Sequence, residues 1–349
     1  MRPAPMPGEV AMQSQRLGRS PLVVSKICMG TMTFGSQADE KTSHRILDRS
    51  LEAGINFFDT AENYPVPPQE SWAGLTEEIF GRWMKTKRRD EIILATKVCG
   101  PSHGWIKGSQ RAGMTALDRH NITRAIEDSL RRLGTDYVDL YQTHWPDHGA
   151  RYEDALETLD ELIRAGKVRV LGCSNETSWG LMKALSTSER EGFARYETIQ
   201  NNHSLNNRRF EDELAQVCRQ EGVSSIPYSP LAGGVLSGKY NGGALPSGAR
   251  FSRYLELGGR QATMARRFVN EKSLTSTERF AQIAAEAGIS LVTLATAWSK
   301  QHDFVASTIV GVTREDQLDD IFAAADLVLS PETLKAIDEV TRDILYPMG

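Results

Sequence analysis

The sequence predicts a parallel (β/α)8 barrel of the TIM type, and three observations carry that expectation. Eight short apolar runs alternate with segments that are apolar at helical spacing, the pattern of repeated βα units around a parallel sheet. Runs at 55–58 and 92–96 lead directly into Asp59 and Lys97, and the run at 138–142 into His144 one residue further on; barrels of this kind collect their chemistry at the C-terminal ends of strands. No G-x-G-x-x-G follows the first run, which argues against an open dinucleotide-binding sheet.

Taken in order, residues 1–12 contain three prolines and no periodicity, and read as a disordered leader ahead of one barrel domain over 13–349. Residues 13–25 suggest a hairpin. Strands are expected at 26–29, 55–58, 92–96, 138–142, 168–172, 198–200, 223–228 and 306–310. Helices are expected at 44–53, 76–84, 118–133, 153–164, 177–188 (opened by a Thr cap), 210–221, 277–286, 291–301, 313–324 and 331–342. Two connections are long. Residues 64–74 include Pro65, Pro67 and Pro68; residues 229–276, after the seventh strand, are rich in Gly and Arg. A loop of that length is expected to be functional and to cover a ligand at the C-terminal face.

Composition narrows the function. The chain is 40% hydrophobic and 25% charged, as globular proteins are, and its net charge of -4 gives no basic footprint for nucleic acid. No apolar stretch approaches the roughly 20 residues of a membrane helix, and the first residues lack the apolar core of a secretion signal. Cys28, Cys99, Cys173 and Cys218 are scattered, with no C-x-x-C pair, and read as buried free thiols of a cytoplasmic protein. Their spacing gives no metal site. The sequence carries no signal for an oligomeric state.

Four residues carry the chemistry: Asp59, Tyr64, Lys97 and His144. A carboxylate just past a strand end can hold the Lys97 ammonium and aim it at Tyr64. A neighbouring cation stabilises phenolate and is expected to lower the Tyr64 pKa toward working pH. His144 can donate to a carbonyl oxygen and orient it. Together they suggest a proton donor for the reduction of a carbonyl compound.

The sequence resembles the aldo/keto reductase superfamily, in its bacterial Tas-like branch, from about residue 13 to the C-terminus. The motifs that carry the resemblance are G-T-M-T-F-G at 30–35, F-D-T-A-E-N-Y-P-V-P-P at 58–68 and A-T-K at 95–97. They continue with D-L-Y-Q-T-H-W-P at 139–146, G-K-V-R-V-L-G-C-S-N at 166–175, Y-S-P-L-A-G-G-V-L-S-G-K at 228–239 and I-V-G-V-T-R-E-D-Q at 309–317. The resemblance implies an NADPH-dependent reductase of aldehydes, with ketones as the second substrate class, a small-molecule carbonyl substrate and no Rossmann domain. It implies Tyr64 as general acid, tuned by Lys97 and Asp59, and His144 as the group that orients the carbonyl.

Cofactor contacts follow from the same resemblance. Gly30, Thr31 and Asp59 lie at the first strand ends. Ser174, Asn175 and Gln200 match positions that hold the nicotinamide carboxamide, and Tyr228 matches the aromatic stacked on its ring. The run from Ser229 through Pro230, Leu231, Gly233, Leu236 and Gly238 to Lys239 would cradle the pyrophosphate. Gly311, Thr313, Arg314 and Gln317 open an expected helix, where phosphate binds well. Arg314 is the candidate for the 2′-phosphate, with Arg250 second. Asp320 would read the adenine, but Ile321 stands where relatives have Asn. His203 stands where relatives more often have an aromatic.

The substrate pocket is expected from Met32, Phe34, Tyr64, Trp105, His144 and Trp145, with Trp72 and His103 on loops in reach; aromatics there favour apolar or aryl carbonyls. Two rival readings are a cofactor-binding, redox-sensing auxiliary subunit of a potassium channel and an aldolase using Lys97 as a Schiff base.

Overall fold

A computed structural model describes residues 12–101 and 116–348. His103, Trp105 and all of the expected leader except Met12 lie outside the described residues. β1 (Ser14–Arg16) and β2 (Val23–Ser25) pair antiparallel as the expected hairpin. The parallel strands are β3 (Ile27–Gly30), β4 (Phe57–Asp59), β5 (Ile93–Val98), β6 (Val138–Thr143), β7 (Val168–Ser174), β8 (Tyr196–Gln200), β9 (Ser224–Ser225) and β10 (Thr308–Val310). Their order is β10-β3-β4-β5-β6-β7-β8-β9. The ends of that order meet: Ser225 bridges Val305 and Tyr228 bridges Ile309, both in parallel. The sheet is a closed barrel, which leaves no long strand edge exposed.

Side chains alternate across each strand. One inward tier is apolar: Cys28, Phe57, Ala95, Leu140, Val170, Ile226 and Ala306 cluster with Leu17, Leu22 and Val24 of the hairpin. The hairpin seals the N-terminal end, where the Gly18 amide donates to Ser224 Oγ at 2.8 Å and the Arg19 amide to Glu197 Oε2 at 2.7 Å. Two residues further along, the inward tier turns polar, with Asp59, Lys97 and Gln142 following Phe57, Ala95 and Leu140. Outward residues such as Ile27, Phe58, Leu94, Tyr141 and Leu171 pack against the helices.

The helices are α1 (Glu40–Glu52), α2 (Leu75–Met84), α3 (Arg119–Leu133), α4 (Tyr152–Arg164), α5 (Ser178–Glu191), α6 (Leu214–Glu221), α7 (Arg250–Leu257), α8 (Gly259–Phe268), α9 (Glu271–Glu286), α10 (Leu291–Gln301), α11 (Leu318–Phe322) and α12 (Pro331–Asp343). Side chains of Asp39, Asp118, Thr177, Ser290 and Ser330 accept the amide three residues on and so define where their helices start. No single helix among the described residues is long and apolar enough to cross a membrane.

Three expectations are corrected. Residues 229–276 are not a loop without structure of its own: they hold α7, α8 and the first turns of α9. Phe251, Tyr254, Ala265 and Phe268 bury a second core there against Phe280, Leu294 and Trp298. The helix expected at 313–324 is a 3-10 turn at Glu315–Gln317 followed by the short α11, and the one expected at 210–221 begins with a 3-10 turn at Arg209–Glu211.

Candidate active site

The polar tier at the C-terminal end of the barrel brings the four sequence-selected residues together. Lys97 Nζ donates to Asp59 Oδ1 at 2.5 Å and to the Thr60 carbonyl at 2.7 Å, and Lys97 is fully buried. Asp59 is anchored through its backbone, whose carbonyl accepts from the Thr31 amide and hydroxyl, both at 3.0 Å. Lys97 Nζ lies 5.0 Å from the Tyr64 ring centroid, and the Tyr64 and His144 rings meet edge to face at 5.7 Å. Trp145 stacks on the His144 ring at 3.9 Å. His144 Nδ1 is buried without a hydrogen-bond partner.

Burial decides the protonation states. It pushes the Tyr64 hydroxyl up, with Asp59 adding to the rise and Lys97 opposing it. The net direction is opposite to the lowering expected from Lys97 alone. Burial pulls Lys97 down, but Asp59 and Tyr64 outweigh it and the ammonium is stabilised. A protonated amine has no lone pair, so Lys97 is poorly suited to the Schiff-base chemistry of an aldolase. Burial, with the charge of Lys97, holds His144 well below the ordinary imidazole range, so the ring is neutral.

Next to His144, the amide groups of the expected carboxamide site form one network. Asn175 adopts the left-handed region (φ 57°), which Asn tolerates better than most residues. Its Nδ2 donates to the His144 carbonyl at 2.9 Å, and its Oδ1 accepts from the Tyr228 hydroxyl at 2.8 Å. Burial pushes the Tyr228 hydroxyl up to about 12. Ser174 Oγ donates to the Gln200 carbonyl at 2.7 Å. Gln200 Nε2 donates to Asp59 Oδ2 at 2.9 Å, so this side chain is engaged with the ion pair as well as lying beside the expected carboxamide site.

The segment after Tyr228 fits a dinucleotide phosphate. Gly233 and Gly234 lie in the left-handed region, and a Cβ at either would come within 2.4 Å of Phe251 Cζ or 2.8 Å of Lys239 Nζ. Lys239 is exposed, yet partial desolvation of its chain lowers its pKa, and the nearby charges of Arg250 and Arg314 add to the fall. Arg250 Nε is buried without a hydrogen-bond partner. Arg314 is exposed and pairs with Asp316 at 3.0 and 2.9 Å. Gln317 Oε1 accepts from the amides of Thr313 and Arg314. Gly311 and Asp320 are exposed and Ile321 is fully buried in the core, so a side chain at 321 meets packing rather than solvent. Pro230 and Leu236 are buried; Ser229, Leu231 and Gly238 are half-buried along the same segment.

Of the expected pocket residues, Tyr64, His144 and Trp145 sit together. Met32 is half-buried and its carbonyl accepts from the Val66 amide. Phe34 is fully buried in the core between barrel and helices. Trp72 is half-buried in a 3-10 turn. Gly30 lets β3 approach β10, since a Cβ there would come 2.7 Å from Ile309 Cγ2.

Two features escaped the sequence reading. Gln142 donates to Asp59 Oδ2 at 3.1 Å; its place between Tyr141 and Thr143, two residues before His144, was the available signal. His203, Glu211 and His302 bring ligand-type atoms within 4.8 Å of one another, which no spacing announces. Both oxygens of Glu211 are taken by Arg208 at 2.7 and 2.6 Å, so the cluster is built as an ion pair.

The sequence profile described as the Aldo/keto reductase family matches residues 26–342. Protein tas of Escherichia coli strain K12 is 42% identical, covering 96% of this chain and 99% of its own length. The uncharacterized oxidoreductase YrpG of Bacillus subtilis is 36% identical over 94% of this chain and 96% of its own. A probable voltage-gated potassium channel subunit beta of Oryza sativa subsp. japonica is 33% identical over 95% of this chain and 97% of its own. Barrel, polar tier and similarity over nearly the whole chain agree: the chain belongs to the aldo/keto reductase family, a family of oxidoreductases.

Proposed function

We propose that this chain reduces aldehydes, and ketones that fit, to alcohols using NADPH. The observation that carries the reading is the buried Lys97–Asp59 pair beneath Tyr64, with neutral His144 at its edge. When bound, the dinucleotide would supply hydride to the carbonyl carbon. Ser174, Asn175 and Gln200 would hold its carboxamide, and Tyr228 its ring. Lys239 and the glycine turns would hold its pyrophosphate, and Arg250, expected second for the 2′-phosphate, lies near Lys239 and would serve the pyrophosphate instead. Arg314 would exchange Asp316 for the 2′-phosphate.

The chain's own residues handle the proton. His144 offers a ring N–H to the carbonyl oxygen without adding a second cation beside Lys97. Tyr64 gives its proton to the same oxygen, Lys97 stabilises the phenolate left behind, and Asp59 keeps the ammonium in place. Four buried cysteines, none of them in a disulfide, suit the cytoplasm we infer for the protein.

The test is fluorescence titration with NADPH and NADH, followed by oxidation of bound NADPH with 4-nitrobenzaldehyde. Tyr64→Phe should bind NADPH as the parent does and lose turnover by a factor of about 10² or more. Parent-like turnover would remove Tyr64 as the acid. The potassium channel relative favours one alternative, a cofactor-binding subunit. Tight NADPH binding with negligible oxidation across a carbonyl panel would support it.

A further inference from the structure

The Asp59 carboxylate has two oxygens, and Lys97 uses one. The other, Oδ2, accepts from Gln200 Nε2 at 2.9 Å and from Gln142 Nε2 at 3.1 Å. Gln200 Nε2 also approaches Gln142 Oε1 at 3.2 Å, so the two amides form a closed polar layer over the ion pair. Gln142 is fully buried on β6, two residues before His144. β7 leaves room for it: a Cβ at Gly172 would come 3.2 Å from Gln142 Cγ and 2.1 Å from Thr198 Oγ1. Two residues earlier on the same strand, Leu140 fills the same side with an apolar group. The amide at 142 is thus a chemical choice and not a demand of barrel packing.

We propose that Gln142 is a positioning residue for the reduction: by fixing the outer oxygen of Asp59, it sets the place of Lys97 beneath Tyr64. This rests on the reading of Tyr64 as the acid. The reason for a second amide lies in Gln200. If Gln200 serves the nicotinamide carboxamide, its bond to Asp59 is shared, and Gln142 remains the donor with no other duty. A buried carboxylate oxygen that loses its donor carries a desolvation cost and is free to rotate.

The consequence is electrostatic. Tyr64 is faced by Asp59 from β4, Lys97 and Cys99 from β5 and the residues after it, His144 after β6, and Tyr228 after β9. Asp59 is faced in turn by Lys97 and by Cys28 of β3. The Gln142 amide dipole points at Asp59 and damps its field, so removing it lets Asp59 oppose ionisation of Tyr64 more strongly.

The experiment compares Gln142→Leu and Gln142→Glu with the parent in the full chain. Tyrosinate absorbance is titrated with Tyr64→Phe as the blank, and kcat and KM are measured across pH with NADPH and 4-nitrobenzaldehyde. Both variants should move the Tyr64 titration to higher pH, by about half a unit or more, and Gln142→Glu should move it furthest because it adds a carboxylate. Turnover should fall roughly tenfold, the loss that one buried hydrogen bond to a charge carries, while KM for NADPH stays near the parent value. Parent-like titration and turnover in Gln142→Leu, with only a lower melting temperature, would reduce Gln142 to a space filler. Should Gln142→Leu not fold, an unmoved titration in Gln142→Glu overturns the proposal equally. The optical titration needs no turnover, so an inactive parent would sink the reductase reading while still deciding the role of Gln142.

Discussion

Burial raises the Tyr64 pKa and Lys97 lowers it, and the balance sets the pH range in which the hydroxyl still has a proton to give. In the free protein the balance is upward, so Tyr64 remains protonated through neutral pH and beyond. The cost falls on the product side, where phenolate forms next to Asp59, and Lys97 is the group that offsets it. The buried histidines make a separate statement about stability. His144, His203 and His302 are all held below the ordinary imidazole value, chiefly by burial, His302 to about 3. As pH falls below about 6.5, the unfolded chain takes up protons at these positions more readily than the native chain does. Each proton costs about 1.4 kcal/mol of stability per pH unit, so these groups favour folding fully only above the unfolded pKa. Urea midpoints should therefore fall steeply between about pH 7 and pH 5. In His302→Gln the decline should be shallower, and an identical slope would remove that residue from the account.

At the scale of the element, three strands run further than the apolar pattern suggested, whereas those expected at 223–228 and 306–310 keep ladder pairing only at Ser224–Ser225 and Thr308–Val310. The pattern stopped at Phe58, Thr96 and Gln142, whereas β4, β5 and β6 continue through Asp59, Val98 and Thr143. A polar residue at a strand's C-terminal end breaks the hydrophobic signal but not the ladder, because its backbone still pairs: Lys97 with Gln142 and Asp59 with Ala95. The positions of Asp59, Lys97 and His144 were legible because each ends such a run. Gln142 was not, since a buried amide inside a strand looks like an interruption. Thr177 marked its helix as the expected cap, and the helix expected over 118–133 starts after Asp118, whose capping role the periodicity had not announced. α7 and α8 were hidden because Gly258 and Gly259 split two short helices and their charged faces dilute the periodicity of Phe251, Tyr254, Ala265 and Phe268. The same segment sets Arg250 beside Lys239, which gives the element its own prediction. Arg250→Ala should weaken NADPH and NADH alike, by about tenfold, through the shared pyrophosphate. Arg314→Ala should weaken NADPH selectively. Equal losses in Arg314→Ala, measured by the same fluorescence titration, would take the 2′-phosphate away from it.

Across the whole molecule, the barrel divides its labour between its two ends. The C-terminal end is polar and ionic, and the N-terminal end is closed by a hairpin that contributes Leu17, Leu22 and Val24 to the interior. Leu17 is fully buried, and the turn after it is tied by Gly18 to Ser224 and by Arg19 to Glu197. Gly18 sits so close to β8 that a Cβ would come 2.4 Å from the Glu197 carbonyl, so the turn needs a glycine as well as its left-handed φ of 57°. A plug that is only a plug should affect stability and leave the chemistry alone. Leu17→Ala removes a fully buried side chain beneath the apolar tier and should cost about 2–5 kcal/mol in urea unfolding. The apolar layer of Phe57, Ala95 and Leu140 separates that cavity from Asp59, Lys97 and Gln142. The folded variant should therefore bind NADPH and turn over as the parent does when assayed well below its melting temperature. Loss of turnover at unchanged stability would mean that the hairpin reaches the polar tier, and that the two ends of the barrel are coupled through its core.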